Sequence, residues 1–254
     1  MFSVTEAQLL AWLNPLLWPT IRCLALFGGM PIFSEKSVPL RVRIGLAIFI
    51  SMAAQPSLPP MPNVVLDNLP LLLLLLAQQL IIGFSMGFAV RLVFAGLEFA
   101  GEIIGLQMGL NFAGFFDPAT AQQATATSSF FSTMVGFLFI AMNGHLLVIE
   151  AVVQSLVAFP VSPEPFAFLH AIRPETWGAE IFRLGMWIAL PLIAMLLFVN
   201  MMLGIIARVA PQISIFSVGF PITLGVGLVG VMFTLPLLQG PFTAALEQML
   251  TMFR

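Results

Sequence analysis

Long apolar segments follow one another along the chain, and they limit what it can fold into more than any other feature. A helix needs about 20 apolar residues to cross a hydrocarbon core of about 30 Å, and it satisfies its own backbone hydrogen-bonding groups. About six segments suit such helices, although the second is short for a full span. They lie near residues 9–30, 40–56, 69–96, 127–159, 179–207 and 213–239. The pattern predicts an all-α membrane protein with about six apolar helices.

The composition agrees with a membrane environment. Hydrophobic residues make up 60% of the chain, charged residues make up 8%, and the mean hydropathy is +1.07. A soluble domain averages roughly 45–50% apolar and about 25% charged residues. We therefore expect the apolar surface to be buried in lipid or against partner chains.

Charge and cysteine content argue against several other classes. The formal net charge is -2 and the cationic residues form no basic cluster, so no nucleic-acid partner is expected. The single cysteine, Cys23, excludes an intramolecular disulfide. The first positive charge is Arg22, so the basic region of a signal peptide is missing and we expect the sequence to start as mature chain. Common phosphate-binding, dinucleotide-binding and zinc-protease motifs are missing from the sequence, and we expect no enzyme activity, metal or cofactor.

Residues 83–87 spell the G-x-S-x-G pattern of serine hydrolases, with Ser85 as the nucleophile. That motif works at a strand-to-helix elbow, whereas here it lies inside an apolar run with helix-compatible spacing. We interpret its glycines as small residues that allow close helix contact.

A second glycine pattern consists of Gly101, Gly105 and Gly109, which recur every four residues. On a helix they form one smooth stripe for helix packing, where another backbone can approach closely. The partner is either another helix of this chain or a neighbouring subunit, and the sequence leaves both open.

Three charged residues, Arg91, Glu98 and Glu102, follow one another at spacings that place them on one helix face. Charges inside a membrane usually pair or line a wet cavity. The pattern indicates a buried charge cluster, which serves as a proton path, a structural ion pair or a contact with a partner.

Phenylalanines also concentrate in one short segment that lies between glycines and a proline. Such a segment can close an aqueous pore by excluding water, or it can anchor the chain at the membrane interface. The candidate pore-plug residues are Leu110, Asn111, Phe112, Phe115, Phe116 and Asp117.

Several sequence blocks keep the order and spacing of one known family. The blocks are PIFS with VP at 31–39, AGEIIGLQMGL at 100–110, FDP at 116–118, NGH at 143–145 and APQISIFSVGFP at 210–221. With them the chain resembles the FliR/SctT family of type III export-gate proteins, from about residue 10 to about residue 240. The flagellar branch is the better match, and the virulence secretion branch is the alternative.

The resemblance implies a non-enzymatic subunit of the flagellar export gate in the bacterial inner membrane, at the flagellar basal body. One copy would assemble with about five FliP and about four FliQ subunits, with FlhB and FlhA nearby. The gate would pass unfolded rod, hook and filament proteins. We also expect some helices to lie above the bilayer plane, against partner subunits.

The resemblance also implies a division of the chain, a single export-gate domain over residues 1–254. Residues 1–178 would be a FliP-like region and residues 179–254 a FliQ-like helical hairpin. The family's plug loop maps onto about residues 106–122, which places the three phenylalanines in the pore constriction and makes the glycine stripe a support for them.

Two other functions follow from the residues alone. Arg91, Glu98 and Glu102 would serve a proton-coupled transporter of small solutes. Ser85, with a base such as His145 or His170, would serve an intramembrane hydrolase.

Overall fold

A computed structural model describes residues 6–34, 38–61, 68–110, 126–212 and 215–254 of the chain. Every regular element within these residues is a helix, which confirms the predicted all-α membrane fold. The helices are α1 (Glu6–Gly29), α2 (Pro31–Ser34), α3 (Leu40–Ala54), α4 (Leu69–Gln107), α5 (Ala126–Ala141), α6 (Gly144–Ala158), α7 (Leu169–Ile172), α8 (Trp177–Val209), α9 (Ile215–Thr234) and α10 (Gln239–Thr251).

Within the described residues, three helical stretches are long and apolar enough to cross a membrane. They are Leu69–Gln107, Leu169–Val209 and Ser217–Leu237, and α5 with α6 makes a fourth if the bent pair is one span. The expected count of about six apolar segments is therefore not confirmed. One reason is length, since α3 has only 15 residues and is about 22 Å long at 1.5 Å per residue.

The predicted segment 127–159 is two helices that meet at an angle of 69°. The break lies at Asn143, whose φ of 57° is left-handed. Asparagine tolerates this conformation better than most residues, and Gly144 then begins α6. Apolar length alone could not show this bend.

Two further boundaries differ from the prediction. Helix α4 does not end near residue 96 but continues to Gln107, for 39 residues. The stretch after residue 96 is more polar, yet it holds no proline, and buried positions recur along it at helical spacing. Helix α10 follows the last predicted segment and begins after a short turn at Leu235–Leu237.

The chain divides into two compact units. The first comprises Met1–Leu92, Asn143–Trp177 and Leu246–Arg254, and the second comprises Val93–Met142 and Gly178–Ala245. One boundary falls inside α4, and another lies next to the predicted start of the FliQ-like hairpin at residue 179. The division into FliP-like and FliQ-like regions stays a prediction.

The first unit is built around a close crossing of α1 and α4. A Cβ added at Gly83 would collide with the backbone carbonyl of Arg22, and one at Gly87 would collide with that of Leu26. Gly29 of α1 lies against Gly87 in return. Because these glycines carry no side chain, the two backbones approach closely, as the interpretation of the G-x-S-x-G pattern predicted.

The second unit packs the C-terminal half of α4 against α5 and α8. The rings of Phe94 and Phe139 lie 5.7 Å apart, and the rings of Phe99 and Phe182 lie 5.2 Å apart. A Cβ added at Gly185 of α8 would come within 2.6 Å of the Gly96 carbonyl oxygen. At these contacts glycines allow the helix backbones to approach closely, and phenylalanine rings fill the space beside them.

Candidate functional site

The predicted plug residues fall almost entirely outside the described residues. Asn111, Phe112, Phe115, Phe116 and Asp117 lie in the segment 111–125, which is outside the described residues. The structure describes the residues on either side of this segment, the C-terminus of α4 and the N-terminus of α5, which we call the frame. Leu110, the last residue before the gap, is half-buried.

Helix α4 ends in a Schellman motif. Gly109 has a φ of 83°. The Leu110 N–H donates to the Gly105 carbonyl at 3.0 Å, and the Gly109 N–H donates to the Leu106 carbonyl at 3.1 Å. This pair of bonds satisfies carbonyls that the helix end would leave unpaired, and it requires a left-handed residue that glycine adopts most easily. Gly109 therefore fixes where the helix stops and where the chain leaves toward residue 111.

Helices α4 and α5 run antiparallel beside this end. The Ser132 hydroxyl donates to a carboxylate oxygen of Glu98 at 2.6 Å, and the Ser128 hydroxyl donates to the Glu98 carbonyl at 3.3 Å. Closer to the end of α4, a Cβ added at Gly101 would lie 2.9 Å from the ring of Phe131. The segment 111–125 thus joins the two arms of a packed helical hairpin.

The glycine stripe has only two helical members in the structure. Gly101 and Gly105 are buried within α4, whereas Gly109 lies beyond the last helical residue, in the turn described above. For Gly101 the close neighbour is a ring of the same chain, one of the two partners that the sequence left open. A supporting role of the three glycines for a plug stays a prediction.

Helix α9 supplies a third side of the frame. Met108, at the end of α4, is fully buried, and a Cβ added at Gly227 would lie 2.5 Å from its side chain. No local pattern in the sequence distinguishes Met108 from the other methionines. Its importance arises from a contact with a residue more than a hundred positions away.

The structure does not bring the predicted charge cluster together within this chain. Arg91 and Glu102 are exposed, and Glu98 is half-buried with the Ser132 hydroxyl at its carboxylate. Arg91 and Glu98 are seven residues apart, or about 10 Å along a helix, which is too far for direct pairing. The ion pairs among the described residues are Glu180 with Arg183 at 2.7 Å and Glu150 with Arg254 at 3.5 Å.

A buried arginine in the first unit was missed by sequence reasoning. Arg22 of α1 is fully buried. Its Nε donates to Oε1 of Gln79 at 2.8 Å, its Nη1 to the Ser155 carbonyl at 2.6 Å, and its Nη2 to the Phe159 carbonyl at 2.9 Å. The two carbonyls form the C-terminal end of α6, where a positive charge also complements the helix dipole.

Two neighbouring glutamines extend this network. Gln79 donates to Gln78 at 2.9 Å, and Gln78 donates to the Pro160 carbonyl at 3.1 Å and accepts from the Ser162 N–H at 2.9 Å. The network thus connects α1, α4 and the chain that leaves α6. The signal in the sequence was a lone charge inside an apolar segment, which usually marks a residue with a specific partner.

The G-x-S-x-G residues form no hydrolase site in the structure. Residues 83–87 lie in the middle of α4, without the turn that would expose Ser85, which is half-buried. His145 and His170 show no hydrogen bond to it among the contacts described. No group of three or more potential metal ligands occurs among the described residues.

Comparison with known proteins identifies the family of the chain. The sequence model of the bacterial export proteins, family 1, matches residues 13–249. The chain belongs to this family. Relatives also match this chain along most of their own length, so the expected resemblance is confirmed.

Three relatives illustrate the similarity, and each is named flagellar biosynthetic protein FliR. The one from Escherichia coli K12 is 43% identical over 235 residues, covering 90% of this chain and 87% of its own. The one from Pectobacterium carotovorum is 39% identical, covering 95% and 92%. The one from Aquifex aeolicus is 30% identical, covering 94% and 90%. The chain is therefore an α-helical membrane protein of a bacterial export family.

Proposed function

We propose that the chain is a subunit of the flagellar type III export gate, where it helps form and seal the channel for rod, hook and filament proteins. The observation that carries this proposal is the 43% identity to the Escherichia coli flagellar relative over 90% of the chain. The relatives described above carry the flagellar name, which favours the flagellar system over a virulence system.

The sealing role is assigned to the segment that contains Phe112, Phe115 and Phe116. Aromatic side chains crowded into a narrow channel exclude water, and a dry constriction is a barrier to ions. The described residues on either side of the segment support this role, because Gly109 ends α4 in a defined turn and Gly101 packs against Phe131 of α5. A plug needs such rigid ends if it is to return to one closed position.

The partners proposed are FliP and FliQ, in a complex of about five FliP, about four FliQ and one copy of this chain, with FlhB and FlhA nearby. The unusual amount of exposed apolar surface supports extensive partner contacts. Trp187, Phe233 and Leu237 are 69%, 67% and 72% exposed. Such a surface is normally covered by lipid or by another protein.

The inner membrane of the flagellar basal body is the proposed location, with some helices above the bilayer plane. Only three or four stretches within the described residues suit full spans. The short helix α3 exposes Leu40 and Phe49 by 66% and 69%, which is natural for a helix that packs on a neighbouring subunit. The final two long helices, α8 and α9, would form the FliQ-like hairpin.

The gate subunit performs no reaction in this proposal. It helps form the channel and seal it, and other components supply the energy for export. Arg91, Glu98 and Glu102 form no cluster among the described residues, and Ser85 lies in the middle of a helix, so the geometry supports neither a transporter nor a hydrolase.

Replacement of the relative in Escherichia coli tests the proposal. A strain without its own relative should regain swimming when this chain is expressed, and the chain should copurify with FliP and FliQ in mild detergent. Expression of the same chain with residues 210–221 scrambled provides a non-assembling control. A well-expressed wild-type chain that neither copurifies nor restores swimming would contradict the proposed function.

A further inference from the structure

A polar cavity lies in the second unit beside the hairpin of α4 and α5. It has a volume of about 300 Å³ and is lined by Glu98, Ser128, Ser129, Ser132 and Thr133. One carboxylate and four hydroxyls thus share one small space in a chain with only 8% charged residues. Neither the plug nor the rest of the proposed function uses this cavity.

Three of the four hydroxyl groups of the cavity donate their hydrogens to oxygens of this chain. Ser132 donates to the Glu98 carboxylate at 2.6 Å, and Ser128 donates to the Glu98 carbonyl at 3.3 Å. Thr133 donates to the Ser129 carbonyl at 2.9 Å. A hydroxyl has one hydrogen and two lone pairs, so these three groups can offer only acceptors to an occupant. The lining therefore favours an occupant that donates hydrogen bonds.

The charge of the cavity also favours an occupant that donates hydrogen bonds, because it favours a cation. Among the described residues, the carboxylate of Glu98 takes part in no ion pair, and its described contact is the single hydroxyl of Ser132. In the same unit, Arg183 is paired with Glu180 at 2.7 Å. A half-buried carboxylate beside apolar helices is costly unless a positive charge compensates it.

We propose that this cavity receives the ammonium or guanidinium group of a lysine or arginine from a neighbouring subunit of the gate. This inference rests on the proposed function, because it requires an assembled gate. Ser129 and Thr133 are exposed, so a side chain can enter from outside the chain. The volume far exceeds the roughly 15 Å³ that a single water needs, and it suits a head group with part of its aliphatic stem.

A photo-crosslinking amino acid at Ser129 of the assembled gate identifies the occupant. The expected product joins this chain to a partner peptide, and mass spectrometry should map the linkage to within a few residues of a lysine or arginine. A product with lipid only, or with a partner segment that holds no basic residue, would overturn the proposal.

Charge removal measures how much the contact contributes. Glu98→Gln keeps an acceptor for Ser132 but removes the charge, and we expect association with the gate to weaken about tenfold or more. Glu102→Gln removes an exposed carboxylate one turn further along the same helix and should change association less than about twofold. Equal behaviour of the two variants would overturn the proposal.

The outcomes separate this inference from the proposed function. If the wild-type chain fails to assemble, the proposed function fails. If the wild-type chain and Glu98→Gln assemble equally, only the cavity proposal fails. The cavity proposal would also be contradicted if gate assembly depended on the sodium concentration and Ser129 gave no crosslink to a partner. That result would indicate a site for a free cation. If Glu98→Gln does not fold, the crosslink decides.

Discussion

Replacement of Arg22 by methionine removes the centre of the buried polar network but keeps a long side chain. Arg22 holds two acceptors for which no other donor is described, Oε1 of Gln79 and the carbonyl of Phe159. The Ser155 carbonyl keeps the Phe159 N–H as a donor at 2.9 Å. An orphaned buried acceptor costs about 1–3 kcal/mol, and relief of the buried charge offsets part of the loss. We expect a net destabilisation of about 2–4 kcal/mol.

Thermal unfolding of the purified chain in detergent, followed by circular dichroism, measures this loss. For a chain of this size about 1 kcal/mol corresponds to a shift of roughly 2–4 °C, so the melting temperature should fall by roughly 5–15 °C. Arg91→Met is the matched control, because Arg91 is exposed on α4 of the same unit. Its melting temperature should stay within about 2 °C of the wild type, as is usual for a surface substitution.

A double variant sharpens this test. Gln79→Leu removes one of the two orphaned acceptors, so Arg22→Met combined with Gln79→Leu should cost less than the sum of the single changes. The reasoning is refuted if Arg22→Met melts like the Arg91→Met control, or if the two changes at positions 22 and 79 are additive. Either result would mean that the hydrogen bonds around Arg22 contribute little to the unit.

Three further changes test the backbone geometry. Gly109→Val forces a branched residue into a left-handed turn at a cost of about 1–3 kcal/mol, and gates with this variant should leak ions in a membrane-potential assay. Gly87→Val should abolish the close crossing of α1 and α4 and lower the melting temperature strongly, whereas Gly28→Ala, which has open space, should not. Asn143→Gly should keep the bend between α5 and α6 and preserve swimming, whereas Asn143→Val should impair it. These expectations would be contradicted by gates that seal normally with Gly109→Val, by an unchanged melting temperature of Gly87→Val, or by normal swimming with Asn143→Val.

The features predicted from the sequence are those that depend on local pattern. Apolar segments predicted helices because residue type and helix periodicity are local properties. The small residues at Gly83 and Gly87 predicted a close helix contact for the same reason. The bend at Asn143 was not predicted, because the apolar pattern continues on both sides of it. The full length of α4 escaped because Glu98 and Glu102 make its second half look amphipathic.

The polar networks depend on contacts between distant parts of the chain. Arg22 reaches Gln79 across 57 positions and Ser155 across 133 positions, and no local pattern in one sequence records such pairs. The cavity around Glu98 likewise requires α5 to fold back on α4. A lone charge in an apolar segment signals that a partner exists, but only the fold names the partner.

Ion flux through the purified gate in lipid vesicles tests the central claim most directly. Gates with the wild-type chain should hold an ion gradient, and gates with Phe112, Phe115 and Phe116 all replaced by glycine should lose it. Phe166→Gly is the control, because Phe166 is 62% exposed in a turn outside the frame, and it should leave the gradient intact. If the triple variant seals as tightly as the wild type, the segment between α4 and α5 is not the plug.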